Sequence, residues 1–329
     1  MTYTYTRREF LHRQFLALGV LTVPKFPVSW INKLDAPLKL GVITDLHQDI
    51  MHDGLQRLQA FIQAMDEEKP QALLQLGDFA VPSPANEPVI KRFNAAHPET
   101  LHVIGNHDLD YGYSKEQCLS TWRMPARFYS RLIQDVRIVV LDGNDSGSPN
   151  YRGGYPSFIG PEQITWLNDE LNSSQEPVII VSHQPLAGTF AVDNATDMQT
   201  LLGKHAQKIL FAINGHTHID DVLQSQGVIY MHLNSASYVW VGELFKHQIY
   251  PEEVHKEYPW LAYTCPYRES LFTTLTIDPA AGTIVVQGKE STWVGPSPAD
   301  IRANTFPELV VGEQIAPRIR ARTLQKKKL

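Results

Sequence analysis

Apolar runs and stretches with a helical period alternate along the first third of the chain. Residues 38–44 form an apolar run that predicts a buried strand. Residues 54–67 carry an apolar side chain at every third or fourth position, which predicts an amphipathic helix. Strands predicted at 72–76 and 101–104 flank a helix predicted at 87–96. Strands joined by helices are typical of an α/β fold with neighbouring parallel strands.

The rest of the chain contains more predicted strands than helices. Helices are predicted at 161–171, where a proline suits the first turn, and at 197–206. Residues 242–270, rich in Tyr, Pro, His and charge, are expected to form a surface excursion. Residues 318–329, with six basic and no acidic side chains, are expected to form a solvated tail. Further strands are predicted at 128–133, 137–141, 178–182, 209–213, 228–233, 271–277 and 283–287.

The N-terminal segment has the pattern of an export signal. Arg7 and Arg8 precede the short apolar run 15–24, as in a secretory signal, and the arginine pair resembles a bacterial twin-arginine signal. We predict that residues 1–24 direct the protein, through the export machinery, to the periplasm; a cytoplasmic protein with an amphipathic N-terminal helix is the alternative. Ten apolar residues are too few to span a bilayer and no other stretch approaches 18, so no permanent membrane span is expected.

The overall charge and the cysteine count restrict the classes of function. The chain has a net charge of −6 with histidine neutral, which argues against a general nucleic-acid binder. Cys118 and Cys265 are the two cysteines, so neither a cysteine zinc cluster nor a CxxC redox centre is expected. A disulfide between them and two separate buried thiols both fit this count. The sequence has no G-x-S-x-G motif, which opposes a serine hydrolase.

Five short polar motifs each follow a predicted strand. They are Asp45-Leu46-His47, Gly77-Asp78, Gly105-Asn106-His107-Asp108, Ser182-His183 and Asn214-Gly215-His216-Thr217-His218. In α/β sheets, ligands bind at the carboxyl ends of the strands, so the motifs are expected to face one crevice. Taken singly, each aspartate is also explained as a helix cap and each glycine as part of a tight turn.

In chain order the motifs are D-x-H, GD, GNHD, H and GHTH, which resembles the calcineurin-like metallophosphoesterase superfamily from residue 45 to residue 218. His47 in the first motif is similar to the phosphodiesterase-type branch and differs from the purple acid phosphatases, which have a tyrosine ligand there. The resemblance implies a four-layer α-β-β-α sandwich with two mixed sheets. The domain would span residues 36–290, followed by a C-terminal extension at 291–329 with a basic tail.

The resemblance also implies two divalent or mixed-valence metal ions. Oxygen and imidazole ligands without thiolates suit Mn, Fe or Zn. Asp78 would bridge the ions. One ion would bind Asp45, His47, Asp78 and His218, and the other would bind Asp78, Asn106, His183 and His216.

The implied activity is hydrolysis of a small phosphate ester, either a monoester or a diester, by a metal-activated hydroxide. His107 would not bind metal but would stabilise the phosphoryl oxygens or protonate the leaving group. Asp108 would orient the imidazole of His107. Selectivity would come from loops and side chains around the cleft, namely 109–127, 142–158, 186–196 and 234–270, with Asp49, His52, Tyr151, Arg152, Tyr238 and Trp240 as candidate contacts.

Two alternatives keep this fold and change the function. A nuclease is disfavoured by the acidic charge of the chain. A non-catalytic binding scaffold is disfavoured because every ligand position is filled and His107 is present. Histidines without motif context are expected to be structural or exposed; they are His102, His205, His232, His247 and His255.

Overall fold

The computed structural model describes residues 28–303 and 307–325, so the predicted export signal at 1–24 lies outside the described residues. Within the described ranges, no helix is both long enough and apolar enough to cross a membrane. The helices of this part are α1 Val28–Ile31, α2 Gly54–Glu68, α3 Glu87–Ala96, α4 Lys115–Trp122, α5 Pro161–Ser173, α6 Ala195–Lys204 and α7 Glu252–Glu257. Turns of 3₁₀ helix lie at His107–Gly112, Glu243–Phe245 and Pro259–Tyr263.

The strands of the described ranges fall into two large sheets and two short pairs. They are β1 Leu38–Ile43, β2 Ala72–Gln75, β3 Thr100–His102, β4 Tyr129–Ile133, β5 Val136–Val140, β6 Val178–Ser182, β7 Ile209–Asn214, β8 Asp221–Ser225, β9 Val228–His232, β10 Tyr238–Trp240, β11 Thr264–Pro266, β12 Thr273–Asp278, β13 Thr283–Val286, β14 Lys289–Glu290, β15 Arg318–Ile319 and β16 Arg322–Gln325. The pairs are β10 with β11 and β14 with β15.

Sheet 1 has the strand order β16-β13-β12-β1-β2-β3. Its parallel half begins at β1, where Leu40 lies opposite Ala72 of β2, and continues where Leu73 of β2 lies opposite Thr100 of β3. On the other side, β12 runs antiparallel to β1 and places Leu275 opposite Leu40. The sheet is therefore mixed, with the carboxyl ends of β1, β2 and β3 at one edge.

Sheet 2 has the order β4-β5-β6-β7-β9-β8. Its four inner strands are parallel, as shown by Val140 opposite Val181 and Ile213 opposite Met231. The outer strands β4 and β8 run antiparallel to their neighbours. The carboxyl ends of β6 and β7 therefore also lie side by side.

Three apolar clusters fill the spaces between the layers. Leu40 of sheet 1 and Val181 of sheet 2 belong to a core shared by both sheets. On the outer face of sheet 1, Phe61 of α2 packs in a second core, and on the outer face of sheet 2, Leu167 of α5 packs in a third. Each fully buried side chain of this size stabilises the fold by roughly 1.5–3 kcal/mol. The predicted four-layer α-β-β-α sandwich with two mixed sheets is confirmed.

The C-terminal segment differs from its prediction. Residues 318–325 are not a solvated tail, because β15 pairs with β14 and β16 pairs with β13 at the edge of sheet 1. Ile319 and Leu324 are buried, and the arginines between them reach the buried carboxylate of Asp220. A count of basic residues misses this arrangement, because the apolar side chains between the arginines pack on the core. The folded domain therefore extends beyond the predicted limit at residue 290.

The stretch 242–270 is only partly a surface excursion. Strand β11 pairs with β10, and Leu261 and Cys265 are fully buried. Cys118 is buried in the core under α2 and α3, and neither cysteine forms a disulfide. Of the two alternatives left open by the sequence, two separate buried thiols are confirmed.

Candidate metal centre

The carboxyl ends of five strands bring the polar motifs together between the sheets. Sheet 1 supplies the aspartates and the asparagine, and sheet 2 supplies three of the histidines. Two groups of potential metal ligands result, each with its ligand atoms within 4.8 Å of one another. The first group is Asp45, His47 and His218, and the second is Asp78, His183 and His216.

Five of these residues have a left-handed backbone conformation. A residue with a side chain at positive φ is uncommon and costs about 1–2 kcal/mol. The conformation turns the chain sharply at the strand end, so that neighbouring side chains of one motif reach the same centre. The φ angles are 52° for Asp45, 48° for His47, 49° for Asp78, 67° for His216 and 50° for His218.

Hydrogen bonds and close packing hold these strained turns. The amide of Asp45 donates to the carbonyl of Gly77 at 3.0 Å, and the amide of His47 donates to the carbonyl of Asp78 at 2.9 Å. Gly215 is required at its position, because a Cβ there would clash with the carboxylate of Asp45. Backbone strain of this kind at five candidate ligands is common at functional sites.

The ligand atoms of the first group converge closely. Nε2 of His218 lies 3.1 Å from Oδ1 of Asp45 and 3.1 Å from Nε2 of His47. Asp45 is held by two neighbours: Thr44 donates its hydroxyl to Oδ2 at 2.6 Å, and the amide of His216 lies 3.1 Å from both carboxylate oxygens. The carboxylate is therefore fixed in the position where the group converges.

The second group converges in the same way and has Asn106 beside it. Nε2 of His183 lies 3.1 Å from Oδ2 of Asp78, 3.2 Å from Nδ1 of His216 and 3.2 Å from Oδ1 of Asn106. Oδ2 of Asp78 also lies 3.6 Å from Nε2 of His47 in the first group. One oxygen of Asp78 therefore faces both groups, and the other accepts the amide of His107 at 2.8 Å.

The tautomers of two histidines match metal binding. Nδ1 of His183 lies 2.8 Å from the carbonyl of Leu76, and Nδ1 of His218 lies 2.8 Å from the carbonyl of Tyr238. A carbonyl oxygen only accepts, so Nδ1 carries the hydrogen in both rings. In the neutral ring, the Nε2 lone pair then faces the other ligand atoms of its group. Converging lone pairs and carboxylates repel each other unless a cation lies among them, so the donor set fits a bound metal at each group.

The protonation states also suit a cation. Burial alone would raise the pKa of Asp78, but the imidazoles of His183 and His107 outweigh burial and lower it well below its usual range. Burial lowers the pKa of His183, yet the Asp78 carboxylate outweighs burial and raises it to about 9. Burial and the neighbouring His183 lower the pKa of His216 to about 3. His216 is therefore neutral, and metal binding at His183 would displace a proton.

His107 lies beside the two groups without belonging to either. Its Nδ1 lies 2.8 Å from Oδ2 of Asp110 and 3.3 Å from the hydroxyl of Tyr155, which itself donates to Oδ1 of Asp110 at 2.6 Å. Burial lowers the pKa of His107, but the carboxylates of Asp78 and Asp110 outweigh burial and raise it. The protonated imidazole is therefore stabilised.

The orienting role predicted for Asp108 is wrong. Its carboxylate is buried and accepts backbone amides instead, from Asp78 and Gly105 through Oδ2 at 2.9 and 2.8 Å, and from Phe79 and Ala80 through Oδ1 at 2.8 and 3.0 Å. Burial and the Asp78 charge raise the pKa of Asp108 to about 8. Asp108 ties the second and third motifs together, because its side chain turns back to the loop after β2.

A cleft opens beside the ligand groups as two adjoining cavities of about 440 and 290 Å³. Both are lined by His47, Asp78, His107, Tyr155 and Trp240. The larger cavity, called the distal cleft below, is completed by Asp49, Ile50, Phe79, Ala80, Asp108, Asp110, Tyr111 and Trp260. The smaller one is completed by Phe190, His216, Thr217, His218 and Tyr238.

The candidate contacts predicted from the sequence fall into two sets. Asp49 and Trp240 line the distal cleft, whereas His52 packs against the ring of Tyr250 at 4.4 Å. Tyr238 lines the smaller cavity, and its ring lies 4.9 Å from the rings of His47 and His218. The other two candidates, Tyr151 and Arg152, are exposed and are not among the described residues that line either cavity.

Asp110, Tyr155 and Trp260 lie in loops that were predicted to surround the cleft, but sequence reasoning did not single them out. Asp110 stands three residues after His107, and this spacing is the one local signal that could have indicated their side-chain contact. Tyr155 and Trp260 come from loops distant in sequence, and no local motif marks them. Ser235 and Ser237 were also missed; their hydroxyls donate to the carbonyls that follow β1, at 3.0 and 2.7 Å.

Comparison with known proteins agrees with the fold described above. The structure is similar to a dimetal phosphatase from Danio rerio, with 17% sequence identity, a TM-score of 0.56, and coverage of 79% of this chain and 99% of that chain. It is also similar to GAP50, the anchor in the inner membrane complex of Plasmodium, with 14% identity, a TM-score of 0.53, and coverage of 89% and 90% respectively. At these identities the similarity shows the fold alone. No curated protein matches the chain.

The amino-acid sequence itself matches a known protein family. The model of the calcineurin-like phosphoesterases matches residues 38–220, more than half of the 329 residues. The matched range starts at β1 and ends just after the last of the five motifs. This chain belongs to the calcineurin-like phosphoesterase family.

Proposed function

We propose that the protein hydrolyses small phosphate esters at a centre of two metal ions. The observation that carries the proposal is the position of one oxygen of Asp78, which lies 3.6 Å from Nε2 of His47 and 3.1 Å from Nε2 of His183. A single carboxylate oxygen that faces two groups of ligands suits a bridge between two cations. When bound, the ions would supply Lewis acidity, which activates water and neutralises phosphoryl charge.

The ligands follow from the two groups and their neighbours. The donor set contains oxygen and imidazole without thiolate, which suits Mn, Fe or Zn. The first ion would be held by Asp45, His47, Asp78 and His218. The second would be held by Asp78, Asn106, His183 and His216.

His107 is the proposed general acid. Asp110 occupies Nδ1, so Nε2 is the nitrogen available to a substrate in the cleft. The raised pKa of His107 favours the protonated ring near neutral pH. Proton donation to the leaving alkoxide is worth roughly 10²–10⁴-fold in rate when the leaving group is poor.

The two alternatives are less well supported. Among the described residues that line the two cavities, none is Lys or Arg, so the cleft offers no basic contacts to a nucleic-acid backbone. A non-catalytic scaffold would not need the complete ligand set or the His107–Asp110 pair.

Hydrolysis can be tested by removing bound metal with a chelator and adding back Mn²⁺, Fe²⁺ or Zn²⁺. We expect release of nitrophenol from 4-nitrophenyl phosphate or bis(4-nitrophenyl) phosphate only after metal is restored. We expect close to two metal ions per chain by elemental analysis. Failure of the metal-loaded protein to hydrolyse any monoester or diester would favour the scaffold.

A further inference from the structure

The distal cleft extends from the candidate metal centre to a wall of aromatic side chains. Its volume of about 440 Å³ falls within the roughly 300–1,000 Å³ range of small-molecule sites. Its lining combines His47, Asp78 and His107 with the aromatic residues Tyr111, Trp240 and Trp260. A phosphate ester held at the metal centre would therefore have aromatic rings in the same cavity to contact its alcohol part.

The aromatic wall is only partly packed against the protein. Trp240 stacks on Tyr263, with ring centroids 5.5 Å apart and planes 8° apart, so its indole is held in place. Trp260 lies 6.4 Å from Trp240, centroid to centroid, with a 40° angle between the rings. The side chain of Trp260 is 45% exposed and that of Tyr111 is 72% exposed. Large aromatic residues left open beside a cleft indicate a contact surface for a ligand.

Two carboxylates line the same cavity. Asp49 accepts hydrogen bonds from the amide of Val81 at 2.8 Å and from Nδ2 of Asn86 at 2.6 Å, which fix its position. Asp110 is fixed by His107 and Tyr155, as described above. Neither carboxylate is paired with an arginine or lysine in these contacts. The distal cleft therefore combines aromatic faces with negative charge.

His107 balances the charge of Asp110, but no arginine or lysine among the described lining residues balances that of Asp49. None of the described residues that line the cleft is Lys or Arg. Lys246 lies close by, with its Nζ 4.7 Å from the ring centroid of Tyr263 and 3.2 Å from its hydroxyl, but it is not among the lining residues. A second anionic group on the substrate would be repelled by Asp49, whereas a cation would be attracted.

We propose that the distal cleft binds a cationic group, of the quaternary ammonium class, on the alcohol part of the phosphate ester. Trp240, Trp260 and Tyr111 supply aromatic contacts to the cation, and the carboxylate of Asp49 supplies the opposite charge. This inference rests on the proposed hydrolysis of phosphate esters and names the class of substrate for that site. A nucleobase would also stack on aromatic rings and donate hydrogen bonds to a carboxylate, but it lacks the positive charge that Asp49 attracts.

The specificity is tested with esters that have the same shape and differ in charge. Phosphocholine and 3,3-dimethylbutyl phosphate differ in one atom, nitrogen or carbon, at the branched end, and their methyl diesters extend the pair to phosphodiesters. With the metal-loaded protein, we expect kcat/KM to be roughly tenfold higher for the choline ester, the effect of about 1.4 kcal/mol from cation–π and charge contacts. Equal values for the pair, or faster hydrolysis of a nucleoside monophosphate, would overturn the inference.

Binding is measured separately from hydrolysis. Choline added to the protein should change its tryptophan fluorescence in a saturable way, while 3,3-dimethylbutanol at the same concentrations should not. If choline binds and no ester is hydrolysed, the proposed function fails and the cationic subsite stands. If nitrophenyl esters are hydrolysed without any choline preference or choline binding, the subsite fails and the proposed function stands.

Variants of Trp260 connect the preference to the aromatic wall. Trp260→Ala should remove most of the preference for the choline ester and weaken choline binding roughly tenfold, and Trp260→Phe should retain part of both. Trp166→Phe, in the distant helix α5, serves as the matched control and should keep the preference and the binding. An unchanged preference in correctly folded Trp260→Ala would contradict the proposal.

Discussion

The carboxylate of Asp110 lies 2.8 Å from Nδ1 of His107 and holds that edge of the imidazole ring. The two residues are three positions apart in the 3₁₀ turn at His107–Gly112. The pair sits at the edge of the ligand groups, where the ring of His107 lies 5.3 Å from the ring of His47. This arrangement separates the acid from the metal ligands, so the two roles can be tested independently.

Replacement of His107 by asparagine should lower kcat by roughly 10²–10⁴-fold while keeping close to two metal ions per chain. The loss should be larger for an alkyl ester than for a nitrophenyl ester, because a poor leaving group needs protonation most. Rates on both esters and elemental analysis check this prediction. His205→Asn, at the end of α6, is the control and should leave both quantities unchanged. Metal loss in the His107 variant would show that His107 is a ligand.

Replacement of Asp110 by asparagine should move the pH dependence of kcat/KM. A general acid acts in its protonated form, so the rate falls as the pH rises through the pKa of His107. The carboxylates of Asp78 and Asp110 raise that pKa, and removing one negative charge lowers it. The alkaline limb of the profile should therefore move to lower pH, whereas the exposed control Asp66→Asn should leave it in place. If the alkaline limb of Asp110→Asn stays at the same pH, Asp110 does not set the pKa of the group that limits the rate.

Replacement of Asp78 by asparagine should lower metal content and activity together. Its Oδ2 faces both ligand groups, so loss of the charge weakens both metal sites. His183→Ala should affect mainly the second site, because Nε2 of His183 lies in that group. Metal titration of both variants checks this difference. Two tightly bound ions in Asp78→Asn would contradict the bridging role.

Replacement of Asp220 by asparagine should destabilise the fold by about 2 kcal/mol, since it removes the charge from buried, charge-assisted hydrogen bonds. The carboxylate of Asp220 contacts Arg320 and Arg322 at 2.6 Å, and the amide of Asp220 donates to the carbonyl of Gln314 at 3.0 Å. Asp220 stands two residues after His218, so metal affinity should fall as well. Urea unfolding and metal titration measure both effects.

The control for Asp220 is an exposed ion pair on helix α7. Lys256 and Glu252 lie 2.9 Å apart, and each side chain is 72% exposed. Lys256→Gln should change the free energy of unfolding by less than about 0.5 kcal/mol. If both variants lose a similar free energy of unfolding, the contact between Asp220 and the C-terminal arginines contributes no more to stability than an exposed ion pair.

Replacement of Arg7 and Arg8 by lysine should stop accumulation in the periplasm of a suitable bacterial host. Lysine keeps the charge and loses the planar guanidinium that a receptor can read through paired hydrogen bonds. Cell fractionation measures the location, with Arg13→Lys in the same segment as the control. An unchanged location in the doubly substituted protein would favour the cytoplasmic alternative.

The ligand groups could be predicted because each motif is local. Asp45 and Asp78 follow parallel strands of sheet 1 and His183 follows a parallel strand of sheet 2, and within each sheet the carboxyl ends of parallel strands meet at one edge. The regular strands and helices of the sandwich followed from periodicity for the same reason. The grouping of ligands across the two sheets came from the family resemblance. The sequence pattern therefore contained both the framework and the chemistry that it supports.

The parts that could not be predicted depend on contacts between distant segments. Tyr155 and Asp110 are 45 residues apart, and their hydrogen bond follows from the path of a loop that has no periodic pattern. The partner of His107 was misassigned because Asp108 is adjacent in sequence, whereas the direction of its side chain depends on the loop after β2. The C-terminal strand was missed because Leu324 is its one apolar residue and no apolar period marks it.

The position of β16 beside β13 has a consequence for solubility. Strand β13 has the sequence TIVV, a β-branched segment without charge. In a chain shortened before Arg318, its backbone N–H and C=O groups on that side would lose their partners and could pair with another molecule. In the structure, β16 covers this side of β13 and carries the charged side chain of Arg322, a feature that discourages pairing at a sheet edge. Strand β16 thus closes a side of β13 that would otherwise be open to self-association.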